Sequence, residues 1–540
     1  MGEGVVFVRA ARRWGTRVAL LSCLAFVAAT LTPLAAPLSA APAIVPRGAA
    51  PASVAQGLPL AVKALQQAEF WPSEIAGNDY FGQSVAISGN TAVVGAYQHD
   101  TGGMGDSGAA YVFVRSGATW TEQQELTADD PGANDHFGWS VAVSGDTVVV
   151  GAPNHTYGGS SFCGAAYVFT RSGVNWTQKA ELNGGAFDDE LGSSVALSGN
   201  TALAGVPYYD NGTKKDTGAV YAYTRSGTTW SAPDVLVADD GVASDYFGAT
   251  GGVALSGNTA LIGSSNHSSA TIDTLGAAYI FTRSGTTWSQ RAELTPADGA
   301  KADYFGGSVA ISGGTALVGA MFHTTTGGTW GGAAYVFTGS GAAWTKQAEW
   351  EGAADMDYLG SSVALTGDTA LVGAPYQTVE TKTLVGAVDV YTRSGIKWTR
   401  QPDLSASDGV ADDDFGGAVA ISGSTALVGA KWHDVGLMDA AGAAYVYQFP
   451  PPKPVISKLR PTSGRRGALV NVSGTGFGTK QGTSYVKFGA AKCTKYAFWS
   501  STRIKCRVPA KAKFGKQKVT VRTAGGTSGA RSFRVRRVRR

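Results

Sequence analysis

The chain has 540 residues, too many for a single ordinary hydrophobic core, so several domains or a repeat array are expected. Its net charge of +4 conceals two segments of opposite sign. Residues 51–452 carry 16 Lys and Arg against 39 Asp and Glu, whereas residues 453–540 carry 23 Lys and Arg and no acid. This division bears on the partners of the protein and not on its fold. No window after the first fifty residues is apolar enough for a membrane-spanning helix, so no transmembrane segment is expected.

The N-terminal residues have the pattern of an export signal. A basic n-region comprises Arg9, Arg12, Arg13 and Arg17. An apolar stretch follows at 18–29, and small residues lead to a cleavage point near 39–41. The sequence therefore predicts a signal peptide at 1–41 and a flexible segment at 42–60. Secretion or display at the cell surface follows from that prediction.

Two cysteines, Cys493 and Cys506, lie close together in the C-terminal segment. Because export places a chain where disulfides form, the sequence predicts a disulfide between them. Such a short closed loop would stabilise the fold by about 3 kcal/mol if its geometry is unstrained.

A sevenfold repeat dominates the sequence. The pair Phe-Gly or Leu-Gly recurs at intervals of 54–58 residues, beginning at Phe81, Phe137, Leu191, Phe247, Phe305, Leu359 and Phe415. Each repeat has four short segments bounded by Gly, Asn, Asp and Ser, which is typical of strands joined by turns. Four antiparallel strands repeated seven times, with no helical pattern, predict an all-β fold, a seven-bladed β-propeller.

The ends of the repeat array predict how the ring closes. The seventh repeat stops at Phe449 and lacks a fourth strand, whereas residues 64–70 match the fourth strand of repeat five at 344–350. The N-terminal strand is therefore predicted to complete blade seven and to leave no open edge. The propeller would then span 61–449. Repeat four carries two additional glycines, Gly251 and Gly252, and a bulge is expected there.

Aromatic residues recur at fixed positions of each repeat. In the third strand Tyr167 and Phe169 are two residues apart, so they share a face, as packing between blades requires. A tryptophan recurs in the fourth strand of six repeats, at Trp120, Trp176, Trp230, Trp288, Trp344 and Trp398. Because this tryptophan recurs at one position, we interpret it as a packing residue and not as a binding platform.

Two polar registers lie on the face that holds the loops between second and third strands and between blades. An aspartate sits two residues before each Phe-Gly or Leu-Gly, at Asp79, Asp135, Asp189, Asp245, Asp303, Asp357 and Asp413. A histidine follows the second-strand glycine by four residues in five repeats, at His99, His155, His267, His323 and His433; Tyr209 and Gln377 replace it in the other two.

A feature repeated in nearly every blade is more often architecture than a site. We therefore interpret the aspartates as holding the turns between blades through bonds to the backbone, with the histidines bonding neighbouring loops. The alternative is a set of metal sites built from the histidines with Asp79, Asp135, Asp245 and Asp303. The sequence contains no credible catalytic set and no nucleotide or phosphate motif, so no cofactor is expected.

The repeats resemble the FG-GAP repeats of integrin α-subunit propellers and their bacterial relatives. The resemblance lies in Phe81-Gly82 followed by Gly95-Ala96, and in Gly151-Ala152-Pro153. It implies the propeller fold and an association with adhesion or surface binding. The calcium loops that integrin repeats often insert between the first two strands are not implied, because each of those connections here is a two-residue turn.

The C-terminal segment resembles the IPT/TIG immunoglobulin-like modules. Pro461-Thr462-Ser463-Gly464, the run 472–477 and Val508-Pro509-Ala510 follow that pattern. The resemblance implies a small β-sandwich at 455–540, joined to the propeller by a stiff proline-rich linker at 450–454. It implies a fold and not a function, because modules of this kind serve several functions in other proteins.

The charge of this basic module predicts its partner. Candidate anion-binding residues are Lys511, Lys513, Lys516, Lys518, Arg534, Arg536, Arg537, Arg539 and Arg540. Nucleic acid is not expected, because the export signal argues against an intracellular role; an anionic envelope polymer or polysaccharide is expected instead.

The whole chain is predicted to be a monomeric, non-enzymatic binding or adhesion protein. The propeller would be the platform for a surface protein or glycan. The alternative is a secreted glycan-active enzyme with an accessory β-sandwich.

Overall fold

The computed structural model describes residues 64–269, 271–450, 453–478 and 480–537. The predicted signal peptide, the segment 42–60, Pro451 and Pro452 of the linker, and the candidate residues Arg539 and Arg540 lie outside these ranges. The described residues form strands and turns throughout. None of them belongs to a helix that could cross a membrane.

The propeller strands follow the four-segment plan of the repeats. The chain enters with β1 (Leu65–Phe70). Blade 1 has β2 (Ser84–Ser88), β3 (Thr91–Ala96), β4 (Ala109–Ser116) and β5 (Thr119–Leu126). Blade 2 has β6 (Ser140–Ser144), β7 (Thr147–Ala152), β8 (Ala165–Ser172) and β9 (Asn175–Leu182). Blade 3 has β10 (Val195–Ser198), β11 (Thr201–Val206), β12 (Ala219–Ser226), β13 (Thr229–Trp230) and β14 (Asp234–Leu236).

The remaining blades repeat this arrangement. Blade 4 has β15 (Val253–Ser256), β16 (Thr259–Ser264), β17 (Ala277–Ser284) and β18 (Thr287–Leu294). Blade 5 has β19 (Ser308–Ser312), β20 (Thr315–Ala320), β21 (Ala333–Ser340) and β22 (Ala343–Glu351). Blade 6 has β23 (Val363–Thr366), β24 (Thr369–Ala374), β25 (Ala387–Ser394) and β26 (Lys397–Leu404). Blade 7 has β27 (Ala418–Ser422), β28 (Thr425–Ala430) and β29 (Ala443–Gln448).

The blades form a closed ring. The innermost strands, which are the first strands of the blades, each contact the next one around the ring, and β27 of blade 7 contacts β2 of blade 1. The strand β1 pairs antiparallel with β29, with Leu65 opposite Gln448 and Phe70 opposite Ala444. The N-terminal strand is thus the fourth strand of blade 7, so the first and last parts of the array share one sheet and its edge is covered.

The glycines of the repeat motif mark where neighbouring blades meet. A Cβ atom on Gly95 of blade 1 would lie 1.9 Å from the carbonyl oxygen of Gly138, which belongs to the Phe-Gly pair of blade 2. Gly205 and Gly248 meet in the same way between blades 3 and 4, again at 1.9 Å. Any side chain at these positions would separate the blades, which explains why the motif pairs a Phe-Gly with a distant Gly.

Aromatic side chains fill the spaces between the blades. The ring of Phe137 packs against Tyr167 and Phe169 of its own blade, with centroids 5.5 and 6.0 Å apart. These residues join one buried cluster with Val93 and Val112 of blade 1. The predicted shared face of the third-strand aromatics is therefore the face that packs on the preceding blade.

Two irregularities occur in blades 3 and 4. The expected bulge at Gly251 and Gly252 is wrong: β15 pairs with β16 without a register shift, and the additional residues form a turn ahead of β15 in which the Gly252 amide donates to the Ala249 carbonyl. The outer strand of blade 3 is broken into β13 and β14 with Pro233 between them, because proline lacks the amide that continues the ladder.

The C-terminal domain is a two-sheet sandwich. One sheet has the order β30 (Val455–Arg460), β32 (Leu469–Thr475), β36 (Arg503–Arg507), β35 (Tyr496–Trp499). The other has the order β31 (Ser463–Gly464), β39 (Arg531–Val535), β37 (Gly515–Thr523), β33 (Tyr485–Phe488), β34 (Ala491–Lys492), with β38 (Gly526–Thr527) also paired to β37. Its core, which includes Val472, Phe477 and Phe533, draws only on residues of this domain.

The predicted disulfide is not present in the structure. Cys493 and Cys506 are buried free thiols with their Sγ atoms 2.9 Å apart, against about 2.05 Å for a bonded pair. The hydrogen bond to Cys506, together with burial, raises the pKa of the Cys493 thiol. The predicted proximity of the two cysteines is confirmed, and their oxidation to a disulfide stays a prediction.

Candidate functional site

The tryptophan stripe is part of the framework. Arg171 lies over the ring of Trp176 with its guanidinium carbon 5.1 Å from the ring centroid. The same guanidinium bonds Asp146 in the hairpin turn of its own blade and Thr91 in the preceding blade, the latter at 3.3 Å. The arrangement recurs at Arg115, Arg225, Arg283 and Arg393. Five of the six tryptophans therefore belong to a cation–π contact that joins two blades, whereas Trp344 is paired with Gly339 in place of the arginine.

The aspartate register holds the turns that lead into the blades. In each repeat one carboxylate oxygen accepts a hydrogen bond from a backbone amide three residues earlier. The seven bonds, between 2.5 and 2.9 Å, involve Asp79, Asp135, Asp189, Asp245, Asp303, Asp357 and Asp413. The residue before the Phe-Gly or Leu-Gly has positive φ in every repeat, 54° at Tyr80 and 58° at His136, for example. A local carboxylate bond stabilises such a tight turn.

The histidine register completes these turns. In all five repeats that have the histidine, its Nδ1 lies 2.8–3.0 Å from the same oxygen of the aspartate. The histidines therefore bond the aspartates themselves. The hydrogen bond to Asp245 raises the pKa of His267 against the opposing effect of burial. Where the histidine is replaced, burial raises the pKa of the aspartate instead, as at Asp189 and Asp357.

Blade 6 departs from the common pattern. Asp389 stands where six other repeats have an aromatic residue, and it is buried. Its carboxylate accepts bonds from Arg400 at 2.6 Å and Tyr391 at 3.0 Å, and burial raises its pKa to about 6. The adjacent cavity has a volume of only about 10 Å³. A carboxylate that accepts two hydrogen bonds beside so small a space has the arrangement of a structural ion pair.

Half-exposed aromatic residues near the innermost strands form what we call the aromatic arc. In blades 5 to 7 the rings follow one another at centroid distances of 5.2–6.3 Å: Tyr304, Phe322, Tyr358, Tyr376 and Trp432. A second group in blades 1 and 2 includes Tyr97 and Trp139, 4.9 Å apart, and the Trp139 indole donates to Thr250 of blade 4. Aromatic side chains of this kind are enriched at protein interfaces.

The sequence contains a signal for the aromatic arc outside the repeat motifs. Tyrosine directly precedes the Phe-Gly or Leu-Gly in four repeats, as at Tyr304 and Tyr358, and an aromatic residue precedes the register histidine at Phe322 and Trp432. Neither position was needed to define a strand. Their proximity depends on the packing of neighbouring blades, which places turns of consecutive repeats side by side.

Only part of the predicted anion-binding set is brought together in the C-terminal domain. Lys516 lies directly opposite Arg534 in the pairing of β37 with β39, and Lys518 is two residues further along the same face. Lys511 and Lys513 lie in the turn before β37, whereas Arg536 and Arg537 follow β39. Arg537 is near the ring of Phe514, at 5.4 Å.

Three further cations extend this surface. Lys487 and Lys492 are directly opposite each other in the pairing of β33 with β34, and Arg522 of β37 is opposite Tyr485 of β33. We name the combined surface the basic face: Lys487, Lys492, Lys516, Lys518, Arg522 and Arg534. The alternation of cations along β37 was the available sequence signal, but the register with β33 and β34 could not be read from it.

The comparisons with known families agree with this architecture. The FG-GAP repeat model matches residues 65–113, 120–169, 176–223, 230–281, 288–337, 347–391 and 398–447. The IPT/TIG domain model matches 454–535. The first FG-GAP match begins with β1 and ends in β4, so each matched unit joins the outer strand of one blade to three strands of the next.

Similarity to individual proteins is partial. A cyclomaltodextrin glucanotransferase of Paenibacillus macerans is 34% identical over 110 residues, 20% of this chain and 15% of the enzyme. One of Niallia circulans is 30% identical over 126 residues, 23% of this chain and 17% of the enzyme. The chain thus spans less than a fifth of the length of these relatives. A solved fungal AA5-family alcohol oxidase in complex with copper has a TM-score of 0.45 at 12% identity, covering 88% of this chain and 99% of that one.

The family matches, in contrast, cover most of the chain and coincide with the strands. The seven sheets, the closing strand and the glycine contacts between blades are the features that these repeats encode. The chain belongs to the FG-GAP repeat family, with seven repeats that form one propeller and an IPT/TIG domain after them.

Proposed function

We propose that this is an exported, non-enzymatic binding protein whose basic face holds an anionic polymer and whose propeller presents the aromatic arc to a surface protein or glycan. The predicted export signal and the families of both domains support an extracellular location. The observation that carries the proposal is the basic face.

The basic face places like charges directly opposite one another. Lys516 faces Arg534, and Lys487 faces Lys492, in neighbouring strands of one sheet. Like charges in that position destabilise a sheet, and residues 453–540 contain no acidic side chain to offset them. A polyanion would convert this repulsion into attraction and would release its condensed counterions on binding. Outside the cell, the polymers with that chemistry are acidic polysaccharides and envelope polymers.

The test is binding of the full-length protein to heparin and to a teichoic-type polymer at two salt concentrations. We expect affinity to fall steeply with salt. The combined variant Lys516→Gln, Lys518→Gln, Arg534→Gln should bind more weakly, and the slope of log affinity against log salt should become shallower by about one for each contact removed.

The matched control removes the same charge from elsewhere in the domain. Lys458→Gln, Lys495→Gln, Lys505→Gln neutralises three lysines on or beside the other sheet. Binding that falls equally in both variants would show that net charge alone attracts the polymer. Absence of binding at low salt would reject the proposal and leave the domain as a basic spacer.

The part of the proposal that concerns the propeller is tested by a separate experiment. Tyr358 contacts both Phe322 and Tyr376, so it is central to the aromatic arc. If the arc is the platform, Tyr358→Ala should abolish capture of ligands on a glycan array or from intact cells while the salt-sensitive polymer binding remains. A broad glycan-hydrolysis screen on the same sample tests the alternative, a glycan-active enzyme; turnover that survives purification would favour it.

A further inference from the structure

The second ring nitrogen of the register histidines, Nε2, lies near carboxylates other than the turn aspartates. His155 Nε2 lies 3.8 Å from Asp130 and 3.9 Å from Glu181. His267 Nε2 lies 3.8 Å from Asp240, and Glu293 completes the group. In blade 7, His433 is grouped in the same way with Glu69 and Asp408, 4.0 Å from Glu69. In each group the three ligand atoms are within 4.8 Å of one another. In blade 1, His99 Nε2 lies 3.7 Å from Glu125, but no third ligand atom is that close among the described residues.

These distances suit a shared cation better than direct bonds. At 3.8–4.0 Å an imidazole nitrogen and a carboxylate oxygen are too far apart for a hydrogen bond. Two ligands that each lie about 2.1 Å from one metal ion are at most about 4.2 Å apart. The histidine-to-carboxylate distances of 3.8–4.0 Å therefore fall within the range that one ion can bridge.

The turn aspartate orients the imidazole for this role. Asp245 Oδ2 accepts the hydrogen bond from Nδ1 of His267 at 2.9 Å. With its proton on Nδ1, the imidazole has a lone pair on Nε2, directed at Asp240. A carboxylate that fixes the tautomer of a metal-binding histidine in this way is the usual outer partner of such ligands. The turn aspartates would thus support the histidines and would not themselves be ligands.

The histidine and the loop carboxylate are lost together within this one chain. Blades 3 and 6 lack the histidine, having Tyr209 and Gln377. Their incoming loops are two residues shorter and lack the loop carboxylate, and blade 3 also has Val235 where blade 2 has Glu181. Blade 6 keeps a strand carboxylate, Asp403, which pairs with Arg400. If the histidines only supported turns, there would be no reason for the loop carboxylate to disappear with them in both blades.

Blade 5 shows what occupies the position between the carboxylates. It retains His323, Asp298 and Glu349, but Lys346 extends between the two acids, with its ammonium 2.7 Å from Glu349 and 3.8 Å from Asp298. A fixed cation therefore sits in the equivalent place. At the same position blades 2, 4 and 7 have a glutamine, Gln178, Gln290 and Gln66. Each accepts a hydrogen bond from the backbone amide just before the loop aspartate.

Buried polar atoms lie beside the groups. One carboxylate oxygen of Glu181 is buried without a hydrogen-bond partner among the described residues, and the hydroxyls of Tyr279 and Tyr445 lie at the carboxylates of Asp240 and Asp408. The corresponding hydroxyl of Tyr167 donates to Asp130, which places these tyrosines at the loop carboxylates.

We propose that the groups in blades 2, 4 and 7 are three equivalent sites for a divalent transition-metal cation such as Zn²⁺, with His155, His267 and His433 as nitrogen ligands. One imidazole and two carboxylates match the ligand preference of zinc and its neighbours, whereas calcium takes oxygen ligands only. The blade 7 site includes Glu69 of β1, so a bound ion there would clamp the strand that closes the ring.

The test is the number of ions bound per chain. Untagged, metal-stripped full-length protein is titrated with Zn²⁺ by calorimetry, and bound metal is counted after gel filtration. We expect three ions for the natural sequence, two for Glu293→Gln, and four for Lys346→Gln, which gives blade 5 the residue of its sister blades. Co²⁺ should give the absorption of a nitrogen- and oxygen-ligated ion, and Ca²⁺ should not compete.

The outcomes separate the proposal from ordinary surface binding. A circular-dichroism melt establishes that each variant is folded before its stoichiometry is read. Fewer than one tightly bound ion per natural chain would overturn the proposal. So would a stoichiometry that neither Glu293→Gln nor Lys346→Gln changes, because adventitious binding does not depend on these two residues. Failure here leaves the proposed binding function of the basic face unaffected, since no residue is shared.

Discussion

His136 occupies the position directly before Phe137, where four other repeats have tyrosine. It is the one histidine outside the register, and it is buried against Tyr97 and Trp139. Burial lowers its pKa to about 4. The Asn154 amide, which can only donate, lies 2.9 Å from its Nδ1, so this nitrogen accepts and the ring is neutral. A histidine packed against the aromatic group of blades 1 and 2 is therefore also a site of acid sensitivity.

This histidine should make the propeller less stable in acid. Its folded-state pKa is about 4 and its unfolded value 6.5, so the unfolded chain binds the proton first as pH falls. Its contribution to stability is present above pH 6.5 and is lost as pH falls towards 4, by up to about 3 kcal/mol. His136→Tyr, the residue of four sister repeats, should retain more stability at pH 4.5 relative to pH 7.5 than the natural protein in denaturant unfolding. Equal pH dependence in both would show that other groups dominate.

The arginine–tryptophan contacts lead to a second prediction, which concerns the stability contribution of a single arginine. Arg171→Met keeps apolar contact with Trp176 but removes the bonds to Asp146 and to Thr91 of the preceding blade. Unfolding free energy should fall by about 1–2 kcal/mol, measured by denaturant titration. The control is Arg291→Met, because exposed Arg291 bonds only Thr282 of the neighbouring strand. A loss no greater than in the control would mean that the guanidinium contributes little between blades.

Among the elements, β1 is the strand that contacts both the last blade and the first. It supplies the outer strand of blade 7, and Phe70 stacks on Phe113 of blade 1 at 4.2 Å with nearly parallel rings. The N-terminal strand therefore joins the last blade to the first. Without it, the outer edge of β29 and a patch of blade 1 would both be exposed.

Removal of residues 58–75 should therefore do more than shorten the terminus. We expect a markedly lower melting temperature and concentration-dependent aggregation, because an unpaired edge strand recruits other chains. A chain that begins at residue 58 and keeps the strand is the control. If the shortened protein melts cooperatively near the temperature of the control, then β1 does not contribute to closure as its pairing indicates.

The elements of the propeller were predictable because each is encoded seven times. Four strands per repeat, the two-residue turns and the match of 64–70 to 344–350 all followed from repetition. The roles of single residues were harder to predict from the sequence. The turn formed by Gly251 and Gly252, the group around His267 and the pairing of Lys487 with Lys492 depend on which chain segments meet. That information lies in ring closure and strand register and not in local pattern.

At the scale of the whole molecule, charge is the feature that repetition does not explain. Residues 51–452 have a net charge of −23 and residues 453–540 one of +23, so the molecule is nearly neutral yet strongly divided. Fields of this size extend over a Debye length of about 10 Å at 0.1 M salt. The acidic part of the chain will oppose polyanions that the basic face attracts. The affinity of the full chain for a polyanion thus depends on the balance between attraction by the basic face and repulsion by the acidic residues.

This competition predicts that the basic domain alone binds polyanions more tightly than the full chain does. The domain has a core of its own, which includes Val470, Val486 and Phe533, so residues 453–540 should fold when separated. We expect the isolated domain to bind heparin at least tenfold more tightly at 50 mM salt, and the two proteins to converge at 300 mM as screening weakens the acidic repulsion. Mixing the domain with a chain ending at residue 450 should weaken its binding at low salt only. Equal affinity of domain and full chain at low salt would show that the acidic propeller has no influence on the basic face.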